Sequence, residues 1–427
     1  MRKLLLLIFL LPALFSSIRV ISTENDFILN EEEKYHFTST AYGRYYDSIP
    51  ANPNVYKETP TFTDASLSKT AGKLLPDQPF QLTEFHVNEE GTPVFKLKNG
   101  QFVPADKNAI YEDTVQSQQE VSQEMWLEPN AAVYDKIPVN GAKKIASKLP
   151  AYSKVKVLQR AQTAKGEFAQ LEDQSWISVD FLSETDNRMD KVQEILSSKY
   201  NKADYSIYVK QLETGKEAGI NPDLQMYSAS VTKLPYLYYV QEELKSEKLS
   251  MDQKLKYIAA VNDFAGAYEP EGSGSIAKSA DDKEYSVQDL ISRVARESDN
   301  VAHNILAYYA TNQSDKEFQQ TVESIAGKKW DVENRQASAR MAGRVMEAVY
   351  EQNGMIIEAL SQTNYDNQRI SKNIDAKVAH KIGDAYDFKH DVAVVYTDSP
   401  FVIAVLTNHS DYDTISRIAD DVYGVLK

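Results

Sequence analysis

Cysteine is absent from the chain, so any covalent nucleophile must be a hydroxyl or an amine. A serine followed three residues later by a lysine puts both groups on one helical turn, where a desolvated amine takes the hydroxyl proton during attack on a carbonyl. The pattern occurs at Ser66/Lys69, Ser153/Lys156, Ser230/Lys233 and Ser275/Lys278, so spacing alone selects nothing. Context does. Ser230 follows the turn-like Asn221-Pro222-Asp223 and opens an apolar run, Val231 to Leu244, that reads as a helix with one side buried. Ser66 lies in a polar stretch, Ser153 in a strand-like one and Ser275 in a glycine-rich turn. Two further patterns share the C-terminal half with Ser230. Ser298-Asp299-Asn300 precedes the apolar run Val301 to Tyr309 and, taken alone, is a helix N-cap. Lys381-Ile382-Gly383 stands before a turn and two terminal strands.

Elements of the right kind surround these residues. From Asp186 onward Met189, Val192, Ile195 and Leu196 recur at helical spacing, and a strand follows at Tyr205 to Leu212. The chain closes with strands Val392 to Thr397 and Phe401 to Thr407, then a helix striped by Ile415, Ile418, Val422 and Val425. Terminal helices packed on an antiparallel sheet make residues 186–427 an α+β domain.

The order Ser-x-x-Lys, Ser-Asp-Asn, Lys-x-Gly, with 65 positions from Lys233 to Ser298 and 81 from Asn300 to Lys381, resembles the class A β-lactamases and their penicillin-recognising serine hydrolase relatives. The likeness continues through Tyr227-Ser-Ala-Ser-Val-Thr-Lys233, Glu271-Gly-Ser-Gly274, Tyr285-Ser-Val-Gln-Asp-Leu290 and Asn300-Val-Ala-His-Asn304. It implies a β-lactamase/transpeptidase-like fold and an acyl-enzyme formed on Ser230 with a β-lactam or a peptidoglycan stem peptide. Lys233 is then the base, Ser298 passes a proton toward the leaving nitrogen, and Asn300 bonds the substrate amide. Lys381 lends its charge to Ser298 and the substrate carboxylate, and Gly383 admits the substrate close to the backbone. The backbone N–H groups of Ser230 and Asp384 form the oxyanion hole, and His390 helps to hold the carboxylate.

Two departures from that pattern bear on turnover. Ile382 replaces the serine or threonine whose hydroxyl bonds the substrate carboxylate in the family. The family's loop with a water-activating glutamate has no room between Asn300 and Ser338, because Thr311 to Lys329 reads as a helix and turn; in the remaining Trp330-Asp-Val-Glu-Asn334, Glu333 is the glutamate left to stand in. Acylation without fast deacylation is the expectation, and a protein that binds without efficient turnover is the alternative.

The chain of 427 residues exceeds what one core usually spans. Met1 to Thr23 has the pattern of an export signal, with Arg2 and Lys3 before the apolar run Leu4 to Phe15, which would anchor the protein in a membrane if retained. Residues 24–50 are a linker. Residues 51–111 and 125–185 read as two small all-β modules, because Asn52-Pro-Asn-Val-Tyr56 and Gly72-Lys-Leu-Leu-Pro76 are answered by Glu128-Pro-Asn-Ala-Ala-Val-Tyr134 and Ser147-Lys-Leu-Pro150. The modules resemble bacterial SH3-like domains of secreted cell-wall proteins, which implies a wall-associated location. The Gln-rich residues 112–124 between them read as a second linker. A formal charge of −15 without a basic cluster argues against nucleic acid as a partner. The six histidines show no ligand spacing, so neither a metal nor a cofactor is implied.

Overall fold

The computed structural model describes residues 43–427 together with Asn30 and Tyr35. The export signal and most of the first linker lie outside the described residues. The chain divides into two compact units.

From residue 43 onward the described residues of the first unit form β-strands joined by turns and loops. Five of its strands form an antiparallel sheet in the order Thr70–Leu74, Thr59–Phe62, Phe102–Pro104, Pro93–Leu97, Leu82–Val87. Val55, Phe95, Leu97, Val103 and Ile110 form its core. Later strands add a second group, in which Gly166–Leu171 pairs with Trp176–Ser178 and Trp176–Ser178 with Val133–Tyr134. Trp176, Phe168 and Ala161 are buried together there. The sequence expectation of an irregular linker at 112–124 is corrected. Val115–Leu127 is one strand. Its polar side chains are exposed along most of its length, so no apolar alternation announced it, whereas backbone pairing needs none.

The second unit is built on a five-stranded antiparallel sheet. Its strands are β1 (Tyr205–Gln211), β2 (Glu217–Ile220), β3 (Lys377–Ala385), β4 (Phe388–Tyr396) and β5 (Phe401–Asn408), in the order β2-β1-β5-β4-β3. Antiparallel strands usually alternate apolar and polar residues, but β4 and β5 read as nearly continuous apolar runs, which requires cover on both faces. Val392, Val394, Val402, Ala404 and Leu406 face one core, and Ala393, Val395, Ile403 and Val405 face the other.

Helices α1 (Arg188–Lys199) and α8 (Tyr412–Leu426) cover the second face with Met189, Val192, Leu196, Ile415, Ile418 and Val422. Each such fully buried side chain contributes roughly 1.5–3 kcal/mol. The first face carries α2 (Lys233–Lys245), α3 (Val287–Arg296), α4 (Asn300–Ala310), α5 (Lys316–Ala326), α6 (Ala339–Gln352) and α7 (Met355–Leu360). Gly343 lets α6 lie directly on β1, because a Cβ there would sit 2.4 Å from the Tyr208 ring. No described helix is long and apolar enough to cross a membrane.

Candidate active site

Ser230 does not open an α-helix. It sits in a 3-10 turn, Ala229–Thr232, and α2 begins only at Lys233. The cause is Ala229, whose φ of 46° puts a non-glycine residue in the left-handed region. Such a conformation costs about 1–3 kcal/mol and persists only where surroundings impose it. Here the Tyr268 hydroxyl donates to the Ala229 carbonyl at 2.8 Å, and the Ser228 N–H donates to the Arg335 carbonyl at 2.7 Å. On the other side β3 packs against the turn. A Cβ on Gly383 would lie 2.8 Å from the Ser228 carbonyl, so only glycine fits.

The second segment enters through α4. The Asp299 carboxylate caps the helix by accepting from the Ala302 N–H at 2.9 Å, and its other oxygen accepts from the Ser275 and Ile276 N–H groups at 2.7 and 3.0 Å. The middle residue of Ser-Asp-Asn thus ties the glycine-rich loop to the helix. Gly274, at φ 110°, leaves room for this, since a Cβ would stand 2.1 Å from the Asp299 carboxyl carbon. With Asp299 so fixed, Ser298 (φ 55°) and Asn300 point at Lys233.

Lys233 is fully buried and donates to the Ser298 carbonyl at 2.6 Å and to Asn300 Oδ1 at 2.7 Å, with Ser298 Oγ at 3.5 Å. Lys381, from β3, donates to Ser298 Oγ at 2.7 Å and to the Ile382 carbonyl at 3.0 Å. Among the described residues no carboxylate forms an ion pair with either amine. Burial, then the charge of Lys381, holds the Lys233 ammonium well below its ordinary range. Burial likewise pushes Lys381 down to about 7, against the opposing pull of Asp391. The three sequence patterns therefore meet: hydrogen bonds join Lys233, Ser298, Asn300 and Lys381, and Gly383 packs against the turn that carries Ser230.

Two residues with no motif complete the floor. Lys233 Nζ lies 4.3 Å from the centroid of the Tyr268 ring, and the Arg335 guanidinium lies 4.0 Å from the same ring. Arg335 also donates to the carbonyls of Gly266 and Ala267 at 3.1 and 2.9 Å. A cation, not an acid, thus stands beside the lysine from the short segment after α5. Glu333 is exposed. Beneath Tyr268 lies His303, buried between Tyr236 and Tyr268, its Nε2 without a partner and its charge suppressed by burial.

The expectation for His390 is corrected. It is completely buried, its Nε2 bonds the Tyr227 carbonyl at 2.8 Å, and its Nδ1 accepts from the Thr407 N–H at 3.1 Å. Burial pushes it down to about 4, so it is neutral and has no donor left for a carboxylate. Asp391 turns to the opposite face of the sheet and bonds His380 Nδ1 at 2.9 Å. The Asp384 side chain pairs with Arg369 Nη2 at 2.7 Å and Lys389 at 2.9 Å.

The family model described as the β-lactamase enzyme family matches residues 187–426. The chain belongs to that family. Its members are serine hydrolases, and the α+β domain is its β-lactamase-like fold. No curated protein matches the chain. Among solved structures, PBP-A is 15% identical, covered over 56% of this chain and 96% of its own, with a TM-score of 0.47. A β-lactamase from Sphaerobacter thermophilus is 16% identical over 56% and 94%, at 0.44. The TLA-3 extended-spectrum β-lactamase is 18% identical over 57% and 99%, at 0.45. In this β-lactamase-family domain Arg335 and Ile382 lie beside Lys233 and Lys381 respectively.

Proposed function

We propose that the protein is an exported acyl-transferring serine hydrolase whose Ser230 forms an ester with a β-lactam or a peptidoglycan-type peptide. One observation carries the reading: Lys233 is buried, free of any carboxylate, and directs two short hydrogen bonds at acceptors. A neutral amine has two N–H groups and one lone pair. With both N–H groups engaged, the lone pair is left to take the Ser230 proton.

Ser230 Oγ attacks the carbonyl carbon, and its proton moves to Lys233 Nζ. As the bond to the leaving group breaks, that proton passes through Ser298 Oγ to the leaving atom, and Lys381 holds Ser298 in place. The N–H groups of Ser230 and Asp384 receive the oxyanion, and Asn300, whose Oδ1 accepts from Lys233 and whose Nδ2 donates to the Glu269 carbonyl at 2.8 Å, holds the base in place rather than the donor. The all-β strands before residue 180 serve as SH3-like modules that keep the enzyme at the cell wall.

The test is covalent. Tagged penicillin should add its intact mass to Ser230 of the full-length protein and leave a Ser230→Ala variant unmodified. Labelling that survives Ser230→Ala refutes the assignment. A second reading, a binder without turnover, is favoured by Arg335 over the Tyr268 ring beside Lys233 and by the exposure of Glu333, the residue named to stand in as the deacylating base.

A further inference from the structure

An N–H that receives an oxyanion works best with no other negative charge close by, yet at Asp384 the receiving residue itself carries a carboxylate. Side chains alternate across a strand. Gly383 abuts the turn that carries Ser230, where a Cβ would stand 2.8 Å from the Ser228 carbonyl, so Asp384 leaves β3 on the reverse face. There its carboxylate is held from three sides. Arg369 Nη2 donates to Oδ2 at 2.7 Å, the Tyr412 hydroxyl donates to the same oxygen, and Lys389, directly opposite on β4, donates to Oδ1 at 2.9 Å.

Arg369 is the buried member of this clamp, at 1% exposure. It opens the 3-10 turn Arg369–Asn373 with a φ of 56°, a conformation that a non-glycine residue keeps only where its surroundings impose it. Its Cζ lies 3.8 Å from the centroid of the Tyr412 ring, and Nη1 donates to Gln368 Oε1 at 2.5 Å; the buried Nε has no partner. Among the described residues Asp384 is the one carboxylate that Arg369 pairs with. A buried guanidinium is thus spent on the side chain whose backbone N–H belongs to the oxyanion hole.

Resting on the reading of Ser230 as an acylated nucleophile, we infer that Arg369, with Lys389, is a positioning residue for acyl transfer. It cancels the Asp384 charge and ties that carboxylate to the reverse face of β3, so the N–H of the same residue meets the developing oxyanion unopposed. Arg369 acts through Asp384 alone and exchanges neither a proton nor a bond with the donor.

A double-mutant cycle on the full-length protein tests this. Adduct formation with penicillin G is followed by intact mass at rising drug concentration, which separates the limiting rate from the half-saturating concentration. Arg369→Gln should lower the limiting rate by about tenfold or more, while half-saturation moves by less than about twofold. In an Asp384→Asn background, where no charge needs cancelling, the same change should cost less than about threefold. An equal loss in both backgrounds shows a role independent of Asp384 and overturns the inference. So does a rise in half-saturation with an unmoved limiting rate, which would make Arg369 a reader of the donor. Should Arg369→Gln fail to fold, Lys389→Gln, on the partly exposed partner of the other oxygen, is expected to slow the limiting rate severalfold and to lose that effect with Asp384→Asn; an unmoved rate or a persistent effect overturns the inference. A wild-type protein that forms no adduct refutes the acyl-enzyme reading and this inference with it, whereas an adduct whose rate ignores Arg369 refutes the inference alone.

Discussion

Replacing Arg335 by glutamine should move the pH dependence of acylation. Lys233 and Arg335 flank one ring, and their distances to its centroid, 4.3 and 4.0 Å, place the two charges no more than about 8 Å apart. At an effective dielectric constant of about 20 that repulsion is about 2 kcal/mol before screening, and partial exposure of the guanidinium reduces it. The other groups facing Lys233 stay in place: Lys381 from β3, Asp299 and His303 from α4, and Lys278 from the glycine-rich loop. The sign follows from the role of the amine. Acylation needs the neutral base, so its rate rises as pH passes upward through the Lys233 pKa. Removing a nearby positive charge raises that pKa, and the rising limb moves to higher pH. On the acid side of the limb the variant is therefore slower, by up to about tenfold. The assay is the second-order rate of penicillin adduct formation by intact mass, taken from pH 5 to 9, with Arg335→Lys as the charge-keeping control. An unmoved limb in Arg335→Gln, or a shift to lower pH, refutes the electrostatic argument.

Three further outcomes follow from the geometry. Gly383→Ala forces a Cβ to 2.8 Å from the Ser228 carbonyl, so it should cost about 1–3 kcal/mol in denaturant unfolding and abolish labelling. With no carboxylate ion-paired to Lys233 among the described residues, the penicillin adduct should outlive its formation by about 10²–10⁴-fold relative to a base-assisted ester; rapid multiple turnovers without accumulating adduct would show that a deacylating base exists, and Glu333 is the first to mutate. Burial disfavours charged His380, but Asp391 and Asp366 outweigh it and raise the imidazole to about 9. The stability this supplies is complete below about pH 6.5 and is lost as pH rises through 9. Asp391→Asn should flatten that alkaline decline in thermal unfolding curves, and an unchanged slope would remove His380 as its source.

The sequence was most legible where chemistry and periodicity are local. Order and spacing pointed to Lys233, Ser298, Asn300 and Lys381, which share one hydrogen-bonded cluster, and the stripe on α8 was readable because Ile415, Ile418 and Val422 recur at helical spacing. Three things were not readable. The 3-10 turn at Ser230 depends on a left-handed Ala229, which composition does not mark. His390 looks available in a sequence, since its burial is decided by strand register, Gly383 opposite His390. Tyr268 and Arg335 come from loops whose positions are set at a distance. Asn304 holds the Tyr268 backbone through its N–H and carbonyl at 2.8 Å each, across 36 positions.

Helix placement has one more consequence. α2 starts at Lys233 itself, and α4 starts at Asn300, whose side chain receives a hydrogen bond from Lys233. Two helix N-termini therefore converge on one amine, each equivalent to about half a positive elementary charge. Their peptide dipoles disfavour an ammonium there and favour negative charge developing nearby. This part of the field belongs to the main chain, so no side-chain substitution deletes it. Even with Arg335 and Lys381 both neutralised, the backbone would keep pressing Lys233 toward its basic form.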